Sequence, residues 1–240
     1  MDNVIIFADH SIGYALSEYL IKYSMKNPYH IISIFSNKNN NAWWPNVKDL
    51  ANEANIEFYY YDEKETINYL ASISCDYLLL LSWKHIIPEQ VITKINKSVL
   101  NLHYSLLPKH RGVYPVNFAL QNSDKTTGIT YHLVNSNIDQ GDIILQKQTE
   151  ILITDDAKSL LLRLDSLAFD AFKEIWEIRN SWKENAKPQI GNITYNSRKK
   201  YNLTNLLDLN KTYKSLELIN LIQSKKFGEN SSLYFTQNNI

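Results

Sequence analysis

A single cysteine stands among the 240 residues. One thiol can form neither an intramolecular disulfide nor a cysteine-based zinc site. Cys75 lies just ahead of the apolar run Tyr77-Leu78-Leu79-Leu80-Leu81 and reads as a buried, inert thiol. Excess charge is missing too: 25 Lys and Arg balance 25 Asp and Glu, so no global field draws the chain to nucleic acid or to an acidic membrane. The six glycines form no G-x-G-x-x-G fingerprint and no glycine-rich phosphate loop. No apolar run approaches bilayer-spanning length, and no basic stretch leads into a long apolar one at the start. The expected location is the cytoplasm, with neither nucleic acid nor membrane as partner. No group of His, Cys, Asp and Glu has metal-ligand spacing, so no catalytic metal is expected.

What is present is the material of an α/β domain. Hydrophobic residues make up 44%, ordinary for a globular chain long enough to bury a full core and carry a small appendage. Apolar, β-branched or aromatic runs at 3–8, 30–35, 56–61, 77–81 and 99–103 read as strands. Helical patterns lie between them: one with Ile12, Leu16, Leu20 and Tyr23, a short one with Val47, Leu50 and Ala51, one over 63–73, and one through Val91 and Ile95. A polar loop over 36–41 and then Trp43-Trp44-Pro45 follow the second strand. This alternation predicts an α/β fold with a doubly wound, mostly parallel sheet. In such sheets the ligand crevice lies beyond the carboxyl ends of the strands, and His10, Trp83 and His103 each follow a strand end.

Further on, residues 113–122 read as a helix and 129–134 and 143–148 as strands. Asp155-Asp156 opens a long amphipathic helix that Lys187-Pro188 ends. A second helix is expected over 211–226 and a last strand over 232–236. The expected domains are residues 1–187 and a smaller C-terminal α+β segment, 188–240. Leu216, Leu218, Ile219, Leu221 and Ile222 form an apolar stretch in a segment too short for its own core, which predicts a homodimer built by that segment.

Chemistry concentrates in Val99-Leu100-Asn101-Leu102-His103. Period-two geometry puts Asn101 and His103 on one face of the strand. An amide can donate to a developing oxyanion, and an imidazole can move a proton near neutral pH. Asn137-Ile138-Asp139-Gln140-Gly141-Asp142 supplies carboxylates in a turn-rich loop, so Asn101, His103 and Asp139 form a candidate constellation. The alternative is two satisfied polar groups near a sheet edge. Of the other histidines, His132 reads as a strand residue, His30 opens a strand, and His110 sits in a surface turn. Arg198-Lys199-Lys200, between Tyr195 and Tyr201, is either a solvated face or a place for a diphosphate with a base stacked nearby.

Three blocks together, Asn101-Leu102-His103-Tyr104-Ser105-Leu106-Leu107-Pro108-Lys109-His110-Arg111-Gly112, Thr127-Gly128-Ile129-Thr130-Tyr131-His132 and Ile138-Asp139-Gln140-Gly141-Asp142-Ile143-Ile144-Leu145-Gln146, closely resemble the folate-dependent formyltransferases, over roughly residues 1–185. The resemblance implies a Rossmann-like formyltransferase core and N10-formyltetrahydrofolate as co-substrate. It places the pterin between the turn Trp83-Lys84-His85-Ile86-Ile87 and the segment from Val134 through Ile138 to Asp139, with Trp83, Lys84, His85, Ile87, Val134 and Ile138 as the contacts. It makes His103 the general base, Asp139 its orienter and Asn101 the oxyanion donor. Within the family, the His10-Ser11-x-Gly13 turn, the Lys109–Gly112 stretch and the short tail look most like the nucleotide-sugar N-formyltransferases, rather than those acting on glycinamide ribonucleotide or methionyl-tRNA. The implied acceptor is a nucleotide-linked amino deoxysugar, best matched by dTDP-4-amino-4,6-dideoxyglucose, serving surface polysaccharide of the O-antigen kind. Expected substrate contacts are His10 and Ser11 near the sugar and Arg111, Tyr195, Arg198 and Tyr201 near the nucleotide. A non-catalytic folate- or nucleotide-binding protein is the alternative of another class.

Overall fold

The computed structural model describes residues 1–24, 29–38 and 44–235. Residues 39–41 of the expected polar loop, Trp43 and Thr236 lie outside them. By its contacts the chain divides into two compact units. The first comprises Met1–His103, Tyr131–Leu145 and Ala168–Pro188; the second comprises Tyr104–Thr130, Gln146–Leu167 and Gln189–Ile240.

The alternating pattern produces the elements β1 (Asp2–Ala8), α1 (His10–Ser24), β2 (Tyr29–Ser36), α2 (Val47–Glu53), β3 (Glu57–Tyr60), α3 (Glu63–Ser72), β4 (Tyr77–Leu81), α4 (Glu89–Ile92) and β5 (Ser98–His103). There follow β6 (Arg111–Gly112), α5 (Pro115–Gln121), β7 (Thr126–Leu133), β8 (Ile143–Glu150) and α6 (Ala157–Glu177). Seven strands hydrogen-bond in the order β3-β2-β1-β4-β5-β7-β8. The pairs β1·β2, β2·β3, β1·β4 and β4·β5 are parallel. The strand order reverses direction between β1 and β4, so the turns after Ala8 and Leu81 flank the switch point where open α/β sheets bind ligands.

Burial explains why these strands carry no polar alternation. Val4 to Ala8 and Tyr77 to Leu81 are buried along their whole length, as expected of central parallel strands covered on both faces. One apolar cluster gathers Ile5, Phe7, Phe35, Leu78, Leu80, Ile87, Val91 and Val99, with Trp83 and Val134 packed against it. Cys75 belongs to the same cluster and is a free, buried thiol. Burial pushes its pKa up to about 12, so the expected inert character holds.

The long helix is shorter than its periodicity suggested. It stops at Glu177, and a 3₁₀ turn (Arg179–Ser181) and α7 (Trp182–Asn185) replace its last turns. The cause is Trp182, which is fully buried and donates its indole N–H to the Ile175 carbonyl at 2.9 Å. A side-chain donor thus takes up a backbone acceptor of the helix C-terminus. The helix expected through Ile95 is likewise reduced to α4, four residues long.

In the second unit the remaining elements are β9 (Tyr195–Asn196), α8 (Arg198–Leu203), β10 (Leu206–Leu207), α9 (Ser215–Lys225), β11 (Lys226–Phe227), β12 (Asn230–Ser231) and β13 (Tyr234–Phe235). The chain passes from the first unit to the second after Pro188. Residues after it nevertheless group with 104–130 and 146–167 rather than standing alone. The reason is pairing: β6 and β9 form a parallel ladder, and the Asn117 amide donates to the Ser224 carbonyl at 2.7 Å. Lys225 is buried, with its ammonium 3.3 Å from the centre of the Tyr201 ring and donating to the Tyr201 carbonyl at 2.9 Å. Burial lowers its pKa to about 8.

Asp155, also buried, accepts from Arg163 Nη1 at 2.9 Å and from the Leu152 N–H at 2.7 Å. Burial alone would raise its pKa, but these bonds outweigh it and hold the carboxyl below 3.8. A depressed folded pKa gives stability that is present above the unfolded carboxyl value and lost as pH falls through the folded one. Asp155→Asn should therefore cost about 2 kcal/mol at pH 7. The gap to wild type should close as thermal melts are repeated from pH 5 downward; a gap independent of pH would contradict this account.

Candidate active site

Asn101 and His103 end β5, and Leu133 ends the neighbouring strand β7. The chain then turns through Asp139, which adopts a left-handed backbone (φ 52°). Such a conformation costs a non-glycine residue roughly 1–2 kcal/mol and persists where the surroundings fix it. The loop closes onto β7 at Gly141: a Cβ there would sit 1.7 Å from the Leu133 carbonyl oxygen, so only glycine permits the approach. The Leu133 N–H bonds back to the Asp142 carbonyl at 2.9 Å.

That closure brings the Asp139 carboxylate among three polar side chains. One oxygen is 3.5 Å from His103 Nδ1. The other is 3.6 Å from His132 Nε2 and 3.5 Å from the Asn101 amide nitrogen. His103 and His132 are both buried. The Leu133 carbonyl, 2.8 Å from His132 Nδ1, can only accept, so Nδ1 carries the proton and Nε2 offers a lone pair. The Asn101 amide N–H therefore donates to Nε2, at 3.0 Å, which orients the whole amide. Its second hydrogen reaches Asp139 only at 3.5 Å. That long contact is the one a developing oxyanion can displace. The structure thus groups the three residues expected from sequence and adds a fourth, His132. Its signal was present but unread: period two puts Thr130 and His132 on one face of the strand next to β5.

The residues expected around the pterin lie in the same unit. Trp83 and Val134 pack against the apolar cluster to which Ile87 belongs, while Lys84 is exposed and Ile138 is 40% exposed. His85 stands beside the Tyr61 ring, with centroids 4.3 Å apart, and burial followed by the Lys84 charge lowers its pKa. The Trp83 indole N–H is buried without a hydrogen-bond partner among the described residues. His10 Nδ1 lies 3.1 Å from Ser82 Oγ, and its ring packs on Trp44. Ser11 follows in α1.

Arg111, Tyr195, Arg198 and Tyr201 belong to the second unit. Arg111 and Tyr195 are register partners in the β6·β9 ladder. Gly112 makes that ladder possible, since a Cβ there would meet the Asn196 carbonyl at 2.2 Å. The Arg111 guanidinium is buried and donates from Nε and Nη2 to the Gln189 amide oxygen at 3.1 and 2.7 Å, a neutral partner for a buried cation. Tyr195 is 55% exposed. Tyr201 is committed elsewhere: it stacks on Tyr114 at 4.2 Å and supports Lys225. Arg198 opens α8 on the surface. His110 is not in a surface turn as expected but 2% exposed. Its Nε2–H donates to Asp124 at 2.7 Å and its Nδ1 accepts from Asn196 at 3.1 Å. The cause is the β6·β9 pairing, which seals over a locally polar stretch. Burial alone would raise the Asp124 pKa, but His110 and Lys109 outweigh it and hold it below 3.8.

Comparison with known proteins places this geometry. The Formyl transferase family model matches residues 4–175. The bifunctional polymyxin resistance protein ArnA of Wigglesworthia glossinidia brevipalpis is 34% identical over 164 residues, 67% of this chain and 25% of that protein. The methionyl-tRNA formyltransferase of Thermodesulfovibrio yellowstonii is 29% identical over 63% of this chain and 50% of its own length. The chain thus spans half or less of these two relatives. Among solved structures, a 4-N formyltransferase from Francisella tularensis superposes with a TM-score of 0.80 at 20% identity, covering 99% of this chain and 93% of that one. WlaRD, a sugar 3N-formyl transferase solved in the presence of dTDP and 5-N-formyl-THF, gives 0.73 at 25% identity, covering 93% and 79%. With the family model covering most of the chain and the Asn101, His103 and Asp139 side chains gathered at the strand ends, the chain belongs to the formyl transferase family.

Proposed function

We propose that the chain transfers the formyl group of N10-formyltetrahydrofolate to the amino group of a nucleotide-linked amino deoxysugar. The observation that carries this reading is the Asp139 carboxylate set among Asn101, His103 and His132 at 3.5–3.6 Å, at the ligand-binding end of a formyl transferase fold. The neutral amine attacks the formyl carbon, and the carbonyl electron pair moves to oxygen, where Asn101 donates. His103, held by Asp139, takes the proton that the new C–N bond makes acidic. Collapse of the tetrahedral intermediate breaks the bond to folate, and a proton returns to the departing N10. No net proton is gained or lost. The formyl donor sits against Trp83, Lys84, His85, Ile87, Val134 and Ile138, whose apolar members suit a flat heterocycle.

The nucleotide-sugar acceptor is supported by Arg111. A buried guanidinium on a neutral amide is poised for an anion, since burying a charge without a counter-charge is costly, and its fork suits a diphosphate. Tyr195, its exposed register partner, suits a stacked base; Arg198 and Tyr201 are the further residues proposed for the nucleotide, and His10 and Ser11 those proposed for the sugar. The finer reading is dTDP-4-amino-4,6-dideoxyglucose as acceptor, in a cytoplasmic homodimer serving surface polysaccharide. Support for the dimer comes from Leu216, Ile219 and Ile222, a stripe along α9 that is 40–51% exposed. Methionyl-tRNA is the second reading, favoured by the names of sequence relatives such as the Thermodesulfovibrio enzyme; the even charge balance argues against it, because phosphate-backbone affinity needs basic excess.

The deciding experiment incubates the protein with 10-formyltetrahydrofolate and a panel of nucleotide amino sugars, glycinamide ribonucleotide and methionyl-tRNA, and reads the formyl mass increment. Transfer to tRNA alone would overturn the sugar reading. His103→Asn and Asp139→Asn should each lower turnover ~10²–10⁴-fold with folding retained; full activity in either would remove that residue from the chemistry. Arg111→Ala should raise the KM for the nucleotide sugar about tenfold or more while leaving that for folate nearly unchanged. Equal effects on both substrates would place Arg111 outside the nucleotide site. Light scattering at micromolar concentration should give a dimer mass that Ile219→Glu converts to a monomer mass.

A further inference from the structure

The turns that end β1, β2 and β4 are tied by hydrogen bonds whose direction can be worked out. Asp9, 3% exposed, accepts the His10 backbone N–H on one carboxylate oxygen at 2.9 Å. On the other it faces the Asn37 amide nitrogen at 2.7 Å. The ionised carboxylate only accepts, so the Asn37 nitrogen must point to Asp9 and its carbonyl oxygen away from it. That oxygen lies 2.7 Å from His85 Nε2, and an amide oxygen also only accepts. His85 must therefore carry its proton on Nε2, leaving Nδ1 as the lone-pair side in the neutral ring. His10 Nδ1, 3.1 Å from Ser82 Oγ, closes the circuit back to the turn after β4. His10 and Ser82 both hold left-handed backbones, each with φ 61°. Two such residues facing each other mark surroundings that over-determine the backbone.

We infer that Asn37 is a positioning residue of the formyl-donor site: through its amide, oriented by Asp9, it fixes the tautomer of His85 and ties the Trp83–Ile87 turn to the strand end that presents His10. The inference rests on the proposed function and deepens it, because His85 belongs to the expected pterin turn and His10 to the expected sugar side. Asn37 makes no contact of its own with the reacting atoms in this scheme; it acts through its neighbours. The groups facing His85 are Lys84 in its own turn, Tyr61 after β3, Glu63 in α3 and Asp9 beyond Asn37. In the wild type, burial and then Lys84 keep the ring neutral near pH 7 against the two carboxylates.

The test uses the full chain and 5-formyltetrahydrofolate as a stable probe, with binding read by calorimetry and His85 read by ¹⁵N NMR. The expected wild-type His85 is protonated on Nε2 and not on Nδ1. Asn37→Leu should weaken 5-formyltetrahydrofolate binding about tenfold to a hundredfold, the range that follows from leaving a partly buried donor unpartnered. The double variant Asp9→Asn/Asn37→Asp can re-form every bond of the circuit with the carboxylate moved one step towards His85. It should restore binding and raise the His85 titration midpoint by about one pH unit or more, a response that a merely structural contact would not give; it also serves if Asn37→Leu fails to fold. His85 protonated on Nδ1, or unchanged binding in a folded Asn37→Leu, would overturn the inference. A wild-type chain that binds no 5-formyltetrahydrofolate overturns the proposed function instead. The tautomer and titration of His85, measured in the free protein, then still decide whether Asn37 sets them.

Discussion

The carbonyl oxygen of Leu133 is the point on which the polar cluster at the end of β5 depends. It accepts from His132 Nδ1, which leaves Nε2 as an acceptor and so turns the Asn101 amide nitrogen inward. The same oxygen stands where a side chain on Gly141 would have to go, so the loop can close and deliver Asp139. One backbone atom thereby sets the tautomer of a histidine, the sense of an amide and the reach of a carboxylate. All three are geometric consequences of where β7 ends, and no charged pair is needed to impose them.

Local pattern is enough for part of this arrangement. Asn101 and His103 share a face because strands have period two, and Asp139 was visible as a carboxylate in a turn-rich loop. His132 escaped because its part depends on β7 lying beside β5 and on which ring nitrogen bears the proton, neither of which is written in neighbouring residues. His110 was misread for a related reason. Lys109-His110-Arg111 looks like solvated surface, yet pairing with residues more than eighty positions later covers the histidine and leaves Arg111 buried. The end of α6 shows a third kind of failure. The apolar spacing continues past Ile178, but a tryptophan indole takes the carbonyl that a further helical turn would have used.

The two units gather different chemistry. The cluster of Asn101, His103, His132 and Asp139 and the apolar cluster around Trp83 and Ile87 lie in the first. The buried guanidinium, its exposed tyrosine partner and the apolar stripe of α9 lie in the second. His132 in the first and His110 in the second are buried and held by directional bonds with assignable donors and acceptors, the condition under which such groups specify one arrangement. Asp155, buried, and Asp124, partly buried, show the electrostatic side of this: each is kept ionised by neighbours that outweigh burial.

Each unit is assembled from three separate stretches of chain, and this bears on how such a protein can be altered by deletion or recombination. A cut after residue 188 would not release one module and leave another whole. It would strip 104–130 and 146–167 of the third stretch with which they are packed, and β6 of its only ladder partner among the described residues. Domain shuffling and reporter fusion act on contiguous segments, so at this site they would sever a unit through its middle. Changes of specificity in a chain woven this way are open to substitution and to loop-length variation, and closed to the exchange of a terminal piece.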